Sequence, residues 1–242
     1  MSSDVNMEAF FKLHRDLPRE GPGAPEDVAW AAALVGLSPR ARIADVACGP
    51  GGDIAALLEA APEGHVTALD KTPHFVEAAR NARGDDPRVT VLKADMKVIA
   101  NRYDLIWCAG AVYFMGVEAA LRAWRKSLLP QGAIAFSEAC WFTDERSDRA
   151  KALWAKEYPT MTDEVGITAQ IEAAGYRVIG QRRLNDAAWE AYYVPLTKWS
   201  DMLRNTADLA LIDLLDEAEE EAACWRAHRS EFGYLLSVVA RL

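Results

Sequence analysis

The chain has 242 residues, enough for one large α/β domain, and 51% of them are apolar, so a sizeable core can form. Its net charge of −9 argues against nucleic acid or an anionic membrane as the main partner, because both call for clustered Lys and Arg. The four cysteines, Cys48, Cys108, Cys140 and Cys224, are scattered, with no C-x-x-C pair or His/Cys cluster, so no metal site is expected and they read as reduced core thiols of a cytoplasmic protein.

Met1 to Phe11 carries acids and no basic, apolar leader pattern. Within Asp4 to His14, residues Val5, Met7, Phe10, Phe11 and His14 recur near helical spacing and predict a short amphipathic helix. Leu17 to Pro25 (L-P-R-E-G-P-G-A-P) is a loop by its prolines and glycines. Pro25 to Gly36 is a helix, with acids Glu26 and Asp27 in its first turn. Ala41 to Asp53 (A-R-I-A-D-V-A-C-G-P-G-G-D) is a buried strand, charged at Asp45, that runs into a glycine turn and then a helix.

His65 to Asp70 is a second strand ending in an acid, followed by a helix over Pro73 to Arg83. Arg88 to Leu92 and Tyr103 to Cys108 are further strands, and Leu105 to Val117 is an uncharged run too short to span a bilayer. Glu118 to Leu129 is a helix ended by Pro130 and Gly132, and Ala133 to Glu138 is a fifth strand. This alternation implies crossovers and a parallel sheet. Helices over Thr143 to Ala155 and Asp163 to Ala174 then lead to a strand at Tyr176 to Arg182. Ala187 to Leu203 is rich in aromatics. Ala207 to Arg226 is a long helix whose acids, Asp213, Asp216, Glu217, Glu220 and Glu221, read as a solvated face. Gly233 to Leu242 is a terminal strand.

The glycine turn suits a ligand that touches the backbone at a helix N-terminus. The dinucleotide pattern G-x-G-x-x-G fits only in part, because Ile54 stands where its third glycine belongs. The whole stretch resembles motif I of the class I S-adenosylmethionine-dependent methyltransferases, a strand ending in D-x-x-C-G-x-G-G. Asp45, Cys48, Gly49, Gly51 and Gly52 match it. The loop R-E-G-P-G from Arg19 resembles one in small bacterial methyltransferases of the ubiquinone- and menaquinone-biosynthesis-like group. The resemblance implies a three-layer α/β/α sandwich around a mostly parallel seven-stranded sheet, with the last strand antiparallel between the fifth and sixth. It covers about residues 40–182 and 232–242 of a single domain. Residues 1–36 and 183–231 would form a helical lid.

The resemblance also implies roles. S-adenosylmethionine would be the cofactor and S-adenosylhomocysteine the product. Asp70 would accept from both ribose hydroxyls, Asp95 and Met96 would meet the adenine, and Asp45, Cys48, Gly49, Gly51, Lys71 and Ala109 would surround the rest. Methyl transfer needs alignment and exclusion of water more than a base. No residue announces itself as the base; His14 and Tyr113 are the candidates named, with Glu138, Trp141 and Tyr158 also able to face the pocket. Arg19, Tyr113, Trp141, Tyr192 and Tyr193 are the candidate substrate contacts.

No [DN]-P-P-[YF] follows the fourth strand, where C-A-G-A-V-Y-F stands instead, and there is no P-loop or G-x-S-x-G. A small-molecule acceptor, at oxygen, nitrogen or carbon, is the expectation, in a monomer or homodimer. A non-catalytic binder of the same cofactor, an NAD-dependent oxidoreductase and a protein methyltransferase are the rival readings.

Overall fold

The computed structural model describes residues 3–242. Met1 and Ser2, at the start of the expected lid, lie outside the described residues. The elements are α1 (Ser3–His14), α2 (Pro25–Leu34), β1 (Arg42–Val46), α3 (Ile54–Ala60), β2 (His65–Asp70) and α4 (Pro73–Arg83). There follow β3 (Val89–Lys93), β4 (Tyr103–Ala109), α5 (Val117–Trp124), β5 (Leu128–Trp141), α6 (Asp148–Glu157) and α7 (Glu164–Ala173). The last are β6 (Tyr176–Arg183), α8 (Asp186–Arg204), α9 (Leu209–His228) and β7 (Phe232–Arg241).

The strands form one seven-stranded sheet in the order β3-β2-β1-β4-β5-β7-β6. Neighbours from β3 to β5 pair in parallel, and β7 runs antiparallel to both β5 and β6. The fold is therefore the α/β one that the resemblance implies. The strand order reverses between β1 and β4, which leaves a crevice beyond their carboxyl ends.

Successive residues of β1 and β4 feed opposite cores. Ile43, Leu105 and Trp107 pack with Leu57 of α3 and Val76 of α4. Ala44, Val46, Ile106 and Cys108 pack with Trp124 of α5 and Ile171 of α7. Strands covered on both faces read as nearly unbroken apolar runs, and the sequence shows them so. Asp45 interrupts β1 on the first face, pairs in register with Trp107 and is only 3% exposed.

A further helical layer stands against this sandwich. α1 packs on α8 and α9, and α6 packs on α9. Its centre is aromatic: Trp189 stacks on Trp225 at 5.0 Å, and Tyr193 lies beside both. The Trp199 indole donates to the Lys12 carbonyl at 3.1 Å and ties α8 to α1. Residues 25–34, counted with the lid by sequence, pack instead against α3 and β7 and bury Val28 and Ala31.

Three boundaries differ from expectation. The helix before β5 ends at Trp124, and β5 starts at Leu128 and carries Pro130 and Gly132 within it. Its pairing with β4 jumps from Tyr103–Leu128 to Leu105–Ala133, an irregularity that absorbs the extra residues. α6 starts at Asp148 because Ser147 caps it, accepting from the Ala150 amide at 3.3 Å. The aromatic stretch is one 19-residue helix, α8, which runs through Pro195.

Trp225 is 1% exposed and holds α8 and α9 together. Trp225→Ala should therefore lower the unfolding free energy by about 3–5 kcal/mol in a urea titration. A loss under about 1 kcal/mol would mean that the helical layer is not part of the cooperative unit.

Candidate active site

The turn after β1 owes its shape to backbone that L side chains seldom adopt. Ala47, Gly49 and Gly51 have φ of 56°, 53° and 91°. A Cβ on Gly51 would stand 2.8 Å from Ile54 Cδ1 and 3.3 Å from Ala79 Cβ, so this glycine lets α4 approach the turn. A Cβ on Gly52 would stand 2.9 Å from the Pro18 carbonyl. Residues 17–24 thus lie directly on the glycine turn.

Asp70, at the end of β2, fastens this turn to the next. Its Oδ2 accepts from the Gly49 amide at 3.1 Å and its Oδ1 from the Thr72 amide at 2.8 Å. Each oxygen keeps a lone pair for a ligand. Asp53, at the start of α3, accepts from the Trp107 indole at 2.9 Å and from Arg19 at 3.2 Å. Arg19 also donates to the Gly21 and Gly23 carbonyls at 2.5 Å each, so its guanidinium is committed to the loop and to Asp53. Asp45 lies beside these groups, and its Oδ2 is buried with no hydrogen-bond partner. Burial, with Asp53 and Asp70 close by, pushes the Asp45 carboxyl well above the usual carboxylate range.

These groups line a cavity of about 630 Å³ beyond the carboxyl ends of β1, β2 and β4. α1 closes it with Phe10 and His14, α6 with Trp154 and Glu157, α8 with Tyr192 and α9 with Glu221. The His14 ring stacks on Phe10 at 4.1 Å, and its Nδ1 meets Glu20 Oε2 at 2.6 Å. Glu20 Oε1 is buried without a partner, and burial raises the Glu20 pKa.

Eleven of the predicted site residues meet on this cavity: His14, Arg19, Asp45, Cys48, Gly49, Asp70, Lys71, Met96, Ala109, Tyr113 and Tyr192. Four do not line it. Gly51 faces Ile54 and Ala79. Asp95 is exposed and caps its own turn, accepting from the Lys97 amide at 2.8 Å. Trp141 is buried between Phe232 and the Arg146 guanidinium. Tyr193 is 1% exposed, and its hydroxyl donates to Glu221 at 2.9 Å. Glu221 itself corrects the expectation of a solvated acidic face, since burial raises its pKa and it lines the cavity. Sequence reasoning also missed Glu20, Asp53 and Tyr234. Asp53 alone had a signal, its place directly after the glycine turn.

The comparisons agree with this geometry. Residues 43–132, from β1 to within β5, match the family described as "Methyltransferase domain". A solved S-adenosylmethionine-dependent methyltransferase from Geobacter sulfurreducens, in complex with S-adenosylhomocysteine, superposes with a TM-score of 0.81. It is 20% identical, over 97% of this chain and 98% of that one. The fold is thus that of the S-adenosylmethionine-dependent methyltransferases, with a methyltransferase-domain match confined to residues 43–132. Another such methyltransferase, from Thiobacillus denitrificans and also bound to S-adenosylhomocysteine, has a TM-score of 0.77 at 22% identity, over 96% of this chain and 98% of its own. The chain is also 28% identical over 216 residues to trans-aconitate 2-methyltransferase of Rhodococcus jostii, covering 82% of this chain and 79% of that protein. No helix among the described residues is long and apolar enough to cross a membrane.

Glu138, at the end of β5, is 2% exposed, and neither oxygen has a hydrogen-bond partner of good geometry. Burial pushes its carboxyl from 4.5 up to about 8, against a weaker downward pull from the Tyr158 hydroxyl and the Tyr113 backbone. Below pH 4.5 the folded and unfolded chains both hold this proton. From there to about pH 8 only the folded chain keeps it, so the stability it contributes is lost as pH rises. Between about pH 5 and about pH 8.5 the stability of Glu138→Gln relative to the parent should shift by about 2–5 kcal/mol in the variant's favour. Urea titrations at the two pH values measure it; a pH-independent difference would contradict the raised pKa.

Proposed function

We propose that this methyltransferase binds S-adenosylmethionine over the glycine turn and passes its methyl group to a small molecule held beneath α1, α6, α8 and α9. The observation that carries the reading is the pair of carboxylates flanking the turn. Asp70 is aligned by two backbone amides, as a ribose diol requires, and Asp45 holds a buried oxygen that an ammonium would satisfy. The residues present therefore fit the cofactor, which when bound supplies a methyl carbon on a sulfonium as the electrophile.

Cys48, Gly49 and Ala109 bound the part of the cavity that lies between the ends of β1 and β4. Lys71 and Met96 bound the side that the adenosine would take. The adenine contact falls to Met96, because Asp95 is engaged with its own turn. Tyr113 and Tyr192 wall the acceptor. Burial holds the Tyr113 hydroxyl above its ordinary range, so it positions the substrate as a neutral donor. His14 is the group placed to take a proton, because Glu20 engages its Nδ1 and leaves Nε2 for the substrate. Residues 17–24 with α1, α8 and α9 act as the lid that excludes water.

Calorimetric titration with S-adenosylhomocysteine tests the reading. The parent should bind with a micromolar dissociation constant. Asp70→Ala should bind about tenfold or more weakly, the cost of one charge-assisted hydrogen bond (~1.5–3 kcal/mol). A folded parent that binds no S-adenosylhomocysteine, or that binds NAD instead, would overturn it.

A further inference from the structure

The charge of the cavity separates acceptor classes. Six carboxyl side chains line it: Glu20, Asp45, Asp53, Asp70, Glu157 and Glu221. The basic groups that line it are His14, Arg19 and Lys71. Arg19 is held by Asp53 and two carbonyls, His14 by Glu20, and Lys71 lies over the Phe114 ring at 5.5 Å. Among the described residues the lining presents no uncommitted guanidinium for an anionic substrate.

The carboxylates fall into two groups. Glu20, Asp45, Asp53 and Asp70 gather at the glycine turn, where the cofactor reading uses them. Glu157 and Glu221 come from α6 and α9 and belong to the acceptor side. There Glu157 lies 3.6 Å from the exposed Lys156 ammonium, which solvent also reaches, and Glu221 faces rings. Tyr113 and Tyr158 lie 5.8 Å apart, and Tyr192 and Trp154 line the same wall. Glu221 Oε1 accepts from the Tyr193 hydroxyl. Glu138 is buried behind Tyr113 and Tyr158, outside the lining, and its raised pKa of about 8 leaves the charge of the wall to Glu157 and Glu221. Aromatic faces and carboxylates together are complementary to an organic cation.

We propose that the acceptor is a protonated small-molecule amine, held between Glu157, Glu221 and the tyrosine faces and methylated on nitrogen. The proposal rests on the methyltransferase reading above. A polycarboxylate such as the Rhodococcus relative's trans-aconitate would meet carboxylates on this wall, so that substrate does not carry over. The step balances within the site. The N–H bond breaks and its proton passes to His14. The freed lone pair forms the N–C bond, and the electron pair of the broken S–C bond stays on sulfur. Positive charge thus moves from sulfur to nitrogen, and the acidic wall holds the product ammonium as it held the substrate.

The test is calorimetric titration of the purified chain, with and without saturating S-adenosylhomocysteine. The probes are choline, its neutral isostere 3,3-dimethylbutan-1-ol, and trans-aconitate. Choline should bind about tenfold or more tightly than the isostere, and trans-aconitate should not bind. Glu221→Gln should weaken choline several-fold. Glu157→Gln, at an exposed position where the fold is not at stake, should do the same. Both variants should keep the parent's affinity for S-adenosylhomocysteine. Equal binding of the isostere, tighter binding of trans-aconitate, or variants that leave choline unaffected would overturn the proposal. S-adenosylhomocysteine binding with no choline binding would sink the amine alone. Choline binding without S-adenosylhomocysteine binding would sink the cofactor reading and leave the ammonium site standing.

Discussion

Two backbone amides donate to one carboxylate, and the site is built outward from that contact. Gly49 follows β1 and Thr72 follows β2, and Asp70 holds both. Without a common acceptor the two loops would be independent segments at neighbouring strand ends. With it they form one rim. The glycines then let other backbone approach that rim: α4 at Gly51 and residues 17–24 at Gly52. The N-terminal loop is thereby docked on the turn, and it brings Arg19 and Glu20 over the crevice.

The crowding of acids in this small volume has an electrostatic cost that the chain meets unevenly. Asp53 is satisfied by an indole and a guanidinium. Asp45 has no comparable partner and is left in the state where burial favours the neutral acid. Glu20 and Glu138 also keep buried oxygens without partners. Such groups oppose folding and persist where binding compensates them. Asp45 and Glu20 thus leave buried acceptor oxygens at the rim of the glycine turn.

What was legible in the sequence was what is local. The strand, turn and helix around Ala41 to Asp53 show in apolar runs and glycines, and Asp70 shows as an acid closing a strand. Alternating elements implied the sheet, and β7 was recognisable as an apolar run of strand-forming residues after the long acidic helix. Side-chain direction was not legible. Trp141 and Tyr193 carry the same residue chemistry as Tyr113 and Tyr192, yet packing with Phe232 and Trp225 turns them inward. Glu221 lies in an acidic run whose other members sit at exposed positions. Only the three helices packed on α9 decide that it faces the cavity. The place of Arg19 in its loop suggests a substrate contact, but the carbonyls two and four residues ahead and Asp53 take its guanidinium first.

The place of β7 in the sheet bears on how the molecule is made. β7 follows every other element in the chain yet lies inside the sheet, between β5 and β6. Until it inserts, β6 has no neighbour in the sheet and Tyr234 is missing from the cavity wall. During synthesis the nascent chain therefore carries the glycine turn and its acids long before it carries a closed chamber. Two strand edges stay open in that interval, on β5 and on β6, and such edges invite pairing with other chains. The delay between making the turn and closing the sheet is thus a window in which a chaperone has most to protect.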